Sequence, residues 1–427
     1  MRPVTTDKED PMSKWKGLFS HIANSFSRLV AANGKNQKKA VCFVYYQHFN
    51  ALIYREAKTL LDQGLQTDIV ILRRTRREKV FQTYGGMNIY AIQARSSAER
   101  SPISYFLRLF LFYLKATALL AYLMPERRYS VIHVTAPPDV MVFSAIIPKL
   151  FGARIILDIH DIGPELFMRK LNVSEDRLPV RVIKVLERIS AAFADHVITV
   201  TDFWKDKLAA RSVDPSKLTL LLNVPDNDLF RPVRVRPARS SFNLFYHGSI
   251  EEHFGLDTLL LAMPAIKAHI PRVLLHLYCG KKGRLYAECT TLIKKLKLNS
   301  YVAFHEAVPF YELPHTLSSA DIGIVPTKDS VFSNEAVSMK ALEYISMEIP
   351  IVVSRTKAHD FYYDNSMVKF FEPCNPEGLA EAVIDLFDNE AERALLVKNA
   401  SAFLKKHGWN KSKEVYSKIV NDLITGK

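Results

Sequence analysis

Two series of alternating strand and helix signals, interrupted once by a stretch rich in proline and arginine, constrain this chain more than any other feature. The first series opens after Lys39. Val41–Tyr45 reads as a strand, Ile53–Gln63 as a helix stopped at Gly64, and Asp68–Leu72 as the next strand. Val131–Val134 and Ile155–Asp158 extend the sheet, and a helix around Val182–Ala192 leads into a strand at His196–Thr201. Between Leu222 and Ser241 the periodicity stops in NVPDNDLFRPVRVRPARSS, a linker composition. A second series starts at Asn243–Tyr246, with strands near Val273–Tyr278, Val302–Phe304, Ile322–Val325 and Ile351–Val353. Repeated strand–helix–strand units require parallel sheets covered by helices on both faces. The expected fold class is therefore α/β, with two doubly wound, Rossmann-like domains facing a cleft. Ligands of such sheets sit at the carboxyl ends of the strands. The expected boundaries are an appendage at 1–38, a first domain at 39–222, a linker at 223–241 and a second domain at 242–408. A final helix, about Lys411–Ile424 within 409–427, is expected to pack back on the first domain.

A length of 427 residues fits about two to three domains. The formal net charge of +14 calls for an acidic partner: nucleic acid, an anionic membrane or a phosphorylated ligand. No RNA-binding or helix-turn-helix signature accompanies it, so nucleic acid is not expected. Cys42, Cys279, Cys289 and Cys374 form no CxxC pair, and no histidine cluster has metal-ligand spacing. That points to a reducing compartment and to no structural zinc. The N-terminus has no signal-peptide pattern, and no stretch reaches about 18 uncharged apolar residues, so no spanning helix is expected. From Ser13 onward, Trp15, Leu18, Phe19, Ile22, Phe26, Leu29 and Val30 recur at helical spacing. That stripe fits an N-terminal amphipathic helix, packed on the protein's own core or lying on anionic lipid.

The segment SNEAVSMKALEYISMEIPIVVSR, Ser333–Arg355, carries the most chemistry. Glu335 and Glu343 flank seven residues, and the helical run with Lys340 and Glu343 feeds the β-branched strand Ile351–Val353. Were the span all helix, the two glutamates would lie roughly 12 Å apart. Two carboxylates at that spacing suit a ligand carrying several hydroxyls; a solvated amphipathic helix with two surface glutamates fits the spacing as well.

Taken with their surroundings, these residues resemble the retaining GT-B glycosyltransferases of family 4. The blocks that carry the likeness are FYHGSIEEHFGLDTLLLA (Phe245–Ala262), HLYCGKKG (His276–Gly283), VAFHEAVPFYELPHTLSSADIGIVP (Val302–Pro326) and the Glu-x7-Glu segment. In the first domain they are ILDIHDIGPEL (Ile156–Leu166) and LERISAAFADHVITVTD (Leu186–Asp202). The resemblance implies a nucleotide-diphosphate sugar as donor, with no cofactor and no metal. It implies that Glu343 accepts hydrogen bonds from the ribose, since a carboxylate is acceptor-only. It implies that Glu335 faces the donor sugar and that His160, followed by Asp161, projects into the cleft near the transferred group. The turn through Ser338 and Met339 opens a helix whose amides can hold the pyrophosphate. Lys340 either neutralises a phosphate or pairs with a neighbouring acid.

Gly248, Ser249 and His253 follow the first strand of the second domain, where family members often carry Arg and Lys for the diphosphate. Gly255 is kept, but a fixed charge is missing. Glu348 stands where a glycine usually precedes the Ile-Pro pair, so the helix loses its easy left-handed cap. Tyr105–Met124 is strongly apolar, with Arg127–Arg128 after it, and Arg73, Arg74, Arg76, Arg77 and Lys79 form a basic cluster. Each has an ordinary explanation, a helix on a sheet and a solvated loop. Together they point to the inner face of the cell membrane, and to a saccharide or polyprenyl-linked acceptor in surface polysaccharide biosynthesis. The alternatives are a sugar-nucleotide 2-epimerase and a catalytically silent binding subunit.

Overall fold

The computed structural model describes residues 39–75, 77–94, 102–232, 241–281 and 283–426. The expected N-terminal helix and residues 233–240 of the linker lie outside them. The first domain is built on an eight-stranded sheet. Its strands are β1 (Ala40–Tyr45), β2 (Gln66–Arg73), β3 (Phe81–Tyr84), β4 (Met87–Ala94), β5 (Tyr129–Ala136), β6 (Arg154–Ile159), β7 (His196–Thr199) and β8 (Leu218–Leu220). Their spatial order is β3-β4-β2-β1-β5-β6-β7-β8, all parallel except the β3–β4 pair. Its helices are α1 (Ala51–Asp62), α2 (Pro102–Arg127), α3 (Ile146–Leu150), α4 (Gly163–Leu171), α5 (Leu178–Phe193) and α6 (Asp202–Arg211).

The second domain has β9 (Phe242–His247), β10 (Val273–Tyr278), β11 (Val302–His305), β12 (Ile322–Val325), β13 (Ile351–Ser354) and β14 (Lys369–Phe371). They run parallel in the order β11-β10-β9-β12-β13-β14. Its helices are α7 (Leu256–His269), α8 (Arg284–Lys295), α9 (Leu313–Leu317), α10 (Met339–Ser346), α11 (Lys357–Tyr362), α12 (Pro376–Asp388) and α13 (Glu390–His407). The last helix, α14 (Trp409–Thr425), leaves this domain and lies against α1 and β5 of the first.

The alternation of apolar runs and amphipathic segments accounts for this architecture. β1, β5 and β6 are buried along nearly their whole length, as strands covered on both faces must be. The strand order reverses around β1 in the first sheet and around β9 in the second. Each reversal leaves a crevice at the carboxyl ends of its strands, and the two crevices face one another across the cleft.

Helix α2 buries Leu109, Phe112, Ala116, Leu120 and Leu123, one stripe at helical spacing, against the sheet. The helix Ile103–Arg127 contains an 18-residue stretch with a mean hydropathy of 1.6 and is long enough to cross a bilayer, although no spanning helix was expected. The packed stripe lays it along the domain instead. The β3–β4 hairpin turns on Gly85–Gly86, both with positive φ (55° and 88°), as a two-residue turn of this hand requires. Glu348 adopts φ 54° at the end of α10, so a glutamate takes the left-handed cap that the sequence denied it a glycine for. The amide of Ile349 still closes on the Tyr344 carbonyl at 3.0 Å.

Candidate active site

The interdomain cleft encloses about 780 Å³. It brings together most of the residues singled out from sequence: His160 and Asp161 on one side, and Ser249, His253, Ser338, Met339, Lys340 and Glu343 on the other.

Glu343 sits on α10 and is 8% exposed. Burial pushes its carboxyl up to about 8 against the opposing pull of Lys340. Lys340, one turn earlier, is pushed down to about 8 by burial, with Glu343 and Glu251 opposing. Its ammonium lies 3.5 Å from the centre of the Phe254 ring and 5.4 Å from that of Tyr246. Gly248 makes this possible. With φ 109° it has no side chain, and a Cβ there would come within 2.9 Å of Lys340 Cε. Before it, at the end of β9, His247 Nε2 lies 3.5 Å from Glu343 Oε2 but makes no hydrogen bond. Burial and Lys340 push His247 down to about 3, so its ring is neutral. A buried polar atom without a partner, beside a buried carboxyl at the edge of a cleft, is characteristic of a ligand site.

The first turn of α10 offers its amides to the cleft. The Ser338 amide donates to His359 Nε2 at 3.3 Å, while His359 Nδ1 lies 2.9 Å from the Ser354 carbonyl. Burial pushes His359 down to about 4, which keeps Nε2 an acceptor. His359 thus fixes the entry to the helix.

Glu335 lies in the turn before α10, so the all-helical spacing does not apply. Its carboxylate lies 2.5 Å from Lys207 on α6 of the first domain and 3.3 Å from Lys357 on α11. The carboxylate expected to face a sugar is thus held by two lysines, one of them from across the interface. Other contacts join the domains nearby. The Tyr362 hydroxyl donates to Asp202 at 2.7 Å, and Trp204 packs on Phe332 with ring centres 5.4 Å apart.

On the opposite wall, His160 follows β6. Its Nε2 lies 2.6 Å from Asp158 Oδ2 and its Nδ1 lies 3.3 Å from Asn223 Nδ2. Burial works against the imidazolium, but Asp158, backed by Glu56, outweighs it and raises the pKa above the ordinary histidine value. Asp158 also lies 3.2 Å from His133 Nε2, and His133 Nδ1 lies 2.8 Å from the Tyr416 hydroxyl on α14. A buried chain therefore runs Tyr416–His133–Asp158–His160 to the cleft. Asp161 is pushed up to about 6, chiefly by burial. Sequence reasoning missed His133, Asp158, Asn223, His247 and Tyr416. Asp158 alone had a legible signal, two residues before His160 on the same strand.

Two further expectations meet particular residues. Glu56, Asp158 and His160 place one ligand atom each within 4.8 Å of one another, a grouping that no sequence spacing announced. Their partners are protein groups: Arg55 for Glu56 at 3.3 Å, and the two histidines for Asp158. His253 is pushed down to about 3 by burial and by Arg169, Lys340 and Lys170, so it is neutral. Arg169 and Lys170 line the cleft from α4 of the first domain. Arg169 lies over the Phe332 ring at 5.0 Å and 3.9 Å from Glu251.

Comparisons with known proteins agree with this architecture. Residues 241–389 match a family model described as glycosyl transferases group 1, and residues 50–223 match one described as a glycosyl transferase 4-like domain. A curated relative, the uncharacterized glycosyltransferase MJ1178 of Methanocaldococcus jannaschii, is 24% identical over 184 residues, 43% of this chain. The match spans about half of that relative's length, 48%. The chain superimposes on sucrose-phosphate synthase of Thermosynechococcus elongatus with a TM-score of 0.73 at 17% identity, covering 91% of this chain and all of that one. It superimposes on Anabaena HepE in complex with UDP-glucose with a TM-score of 0.65 at 12% identity, covering 90% and 99%. At these identities the structural likeness is one of fold.

Proposed function

This chain belongs to the GT-B glycosyltransferases of family 4, and from that premise we propose that it moves a sugar, with retention of anomeric configuration, from a nucleotide-diphosphate sugar to a saccharide acceptor on a polyprenyl carrier. The reading places it in surface polysaccharide biosynthesis, at the inner face of the cell membrane. One observation carries it: Glu343, Lys340 and the unpartnered His247 are buried together at one wall of the cleft, opposite His160. A carboxylate, a cation and a neutral donor in that order suit a ribose followed by a diphosphate. The UDP-glucose held by the Anabaena relative supports the donor class.

In the proposed reaction the bond from the anomeric carbon to the diphosphate oxygen breaks, and a bond to the acceptor oxygen forms on the same face. The acceptor proton passes to the departing phosphate oxygen, releasing a nucleoside diphosphate. The protein's part is to position the reactants and stabilise the leaving group's charge. Lys340, Arg169, Lys170 and the first amides of α10 supply positive potential around the diphosphate. That is the support for a reaction without a resident metal. Nε2 is committed to Asp158 and Nδ1 faces the Asn223 amide nitrogen, so a contact of His160 with a hydroxyl of the transferred sugar requires that hydroxyl to take the place of Asn223 at Nδ1. A thermal-shift screen of nucleotide-sugars, followed by NMR of the glycoside formed, tests the reading. Inverted product or interconversion of donor epimers would overturn it.

A further inference from the structure

The outer surface of the first domain exposes apolar stripes. On α5 the buried positions are mixed, Val180 and Ala191 beside Glu187 and Ser190, and Glu187 binds Arg211 at 2.7 Å. The outward positions are apolar: Val182, Val185 and Ile189 are about half exposed. Helix α2 shows a second apolar outer stripe in Phe106, Leu107, Phe110 and Leu114, from 46% to 64% exposed. Both helices pack on the 3₁₀ turn Asp139–Ala145, and α3, with Leu150 76% exposed, packs on it and on α2. The two stripes therefore belong to one face of the sheet, a contiguous apolar surface of the kind that marks an interaction site.

The charges on these helices are mostly basic, although Lys184 pairs with Glu175 and Lys149 with Asp195. Along α2, α3 and α5 the basic residues include Arg108, Lys115, Lys149, Arg181, Lys184 and Arg188. The acids on these helices are Glu126, at the far end of α2, and the buried Glu187. Apolar side chains among an excess of cations match an anionic bilayer surface. A second copy of the same face would set cation against cation. The first turns of α2 also carry Tyr105 and Arg108, which line the cleft, so the face borders its mouth.

We propose that α2, α3 and α5 of the first domain form an interfacial docking face for anionic lipid, independent of residues 1–38. Its purpose rests on the reading of a lipid-linked acceptor; its binding does not. The test uses the full chain and flotation with phosphatidylcholine vesicles with and without phosphatidylglycerol. The expected result is binding only to anionic vesicles, weakened by salt. F110D/V185D should cut the bound fraction on the order of tenfold or more, with hydrolysis of the donor unchanged. No flotation of the wild type, equal binding to neutral vesicles, or full binding by F110D/V185D overturns the inference. So does a concentration-dependent dimer in light scattering that the double variant dissolves. If vesicle binding follows this pattern while a polyprenyl-linked saccharide is not glycosylated, the docking face is supported and the acceptor reading alone fails.

Discussion

Glu343→Gln should stabilise the ligand-free protein and weaken donor binding. The carboxyl titrates near 8 in the fold against an ordinary 4.5. Folding at pH 7 therefore requires it to take up a proton, at a cost of about 3 kcal/mol when each pH unit counts about 1.4 kcal/mol. The amide has the shape of the protonated acid and needs no such uptake. A folded pKa raised in this way gives stability that is fully present below about 4.5 and lost as pH rises through about 8. The gap between variant and wild type should thus be near zero at pH 4.5, widen steadily, and level off above pH 8. Denaturant unfolding across that range measures it. Binding runs the other way. Ribose hydroxyls donating to an ion are each worth roughly 1.5–3 kcal/mol, so the variant should bind a nucleoside diphosphate at least about tenfold more weakly. In the wild type, binding at pH 7 should release a proton, read as a dependence of the calorimetric heat on the buffer's ionisation enthalpy. A variant that is less stable at every pH, or a binding heat indifferent to buffer, would refute the reasoning.

The other predictions concern the opposite wall and the interface. His160→Ala should lower kcat on the order of a hundredfold with donor affinity kept; the protonated ring is lost as pH rises through its raised pKa, so Asp158→Asn should move the alkaline limb of the kcat profile to lower pH. Glu335→Gln and Lys207→Met should each reduce turnover, and a double-mutant cycle should show coupling of about 1 kcal/mol; full additivity would put Glu335 on the sugar rather than on the bridge. Chelator should leave activity unchanged, and loss in EDTA with restoration by a divalent ion would assign the Glu56–Asp158–His160 group to a metal. Gly255→Ala should destabilise the second domain by at least about 2 kcal/mol in thermal or denaturant unfolding, because a Cβ there would sit 1.8 Å from the Pro326 carbonyl oxygen at φ 66°.

The two sheets were legible because their strands are short apolar runs at regular spacing, and each expected strand lies within the observed β1, β2, β5, β6 or β9–β13, with His196–Thr201 overrunning β7 by two residues. Most unannounced strands have weak local signals: β8 and β14 are three residues long, and β3 is largely exposed, so neither alternation nor burial marks it. β4 is the exception, eight residues with alternating burial that no expected strand covers. The cleft residues after strands, His160 and Ser249, were legible for the same reason the strands were: topology puts strand ends at the site. The buried relay was not. His133 lies inside a strand, Tyr416 is 283 residues away on the last helix, and no period links them. Glu335 stands before α10, which begins only at Met339, and its bridge to Lys207 joins two domains in a way that no local spacing announces.

The charge missing after β9 now has a physical sequel. A lone cation on the second domain would leave a diphosphate half neutralised, and His253 contributes none because it is buried beside Lys340, Arg169 and Lys170. The other cations lining the cleft, Arg169 and Lys170 on α4 and Arg108 on α2, belong to the first domain. Diphosphate affinity in such a site depends on how closely the domains approach, since attraction across a cleft falls with distance and rises as water leaves. The contacts that hold α6 to the loop before α10, Lys207 to Glu335 and Trp204 to Phe332, set that approach. Donor recognition on one wall and positioning of His160 on the other would then be coupled through this interface, with the Lys207–Glu335 bridge holding the loop before α10.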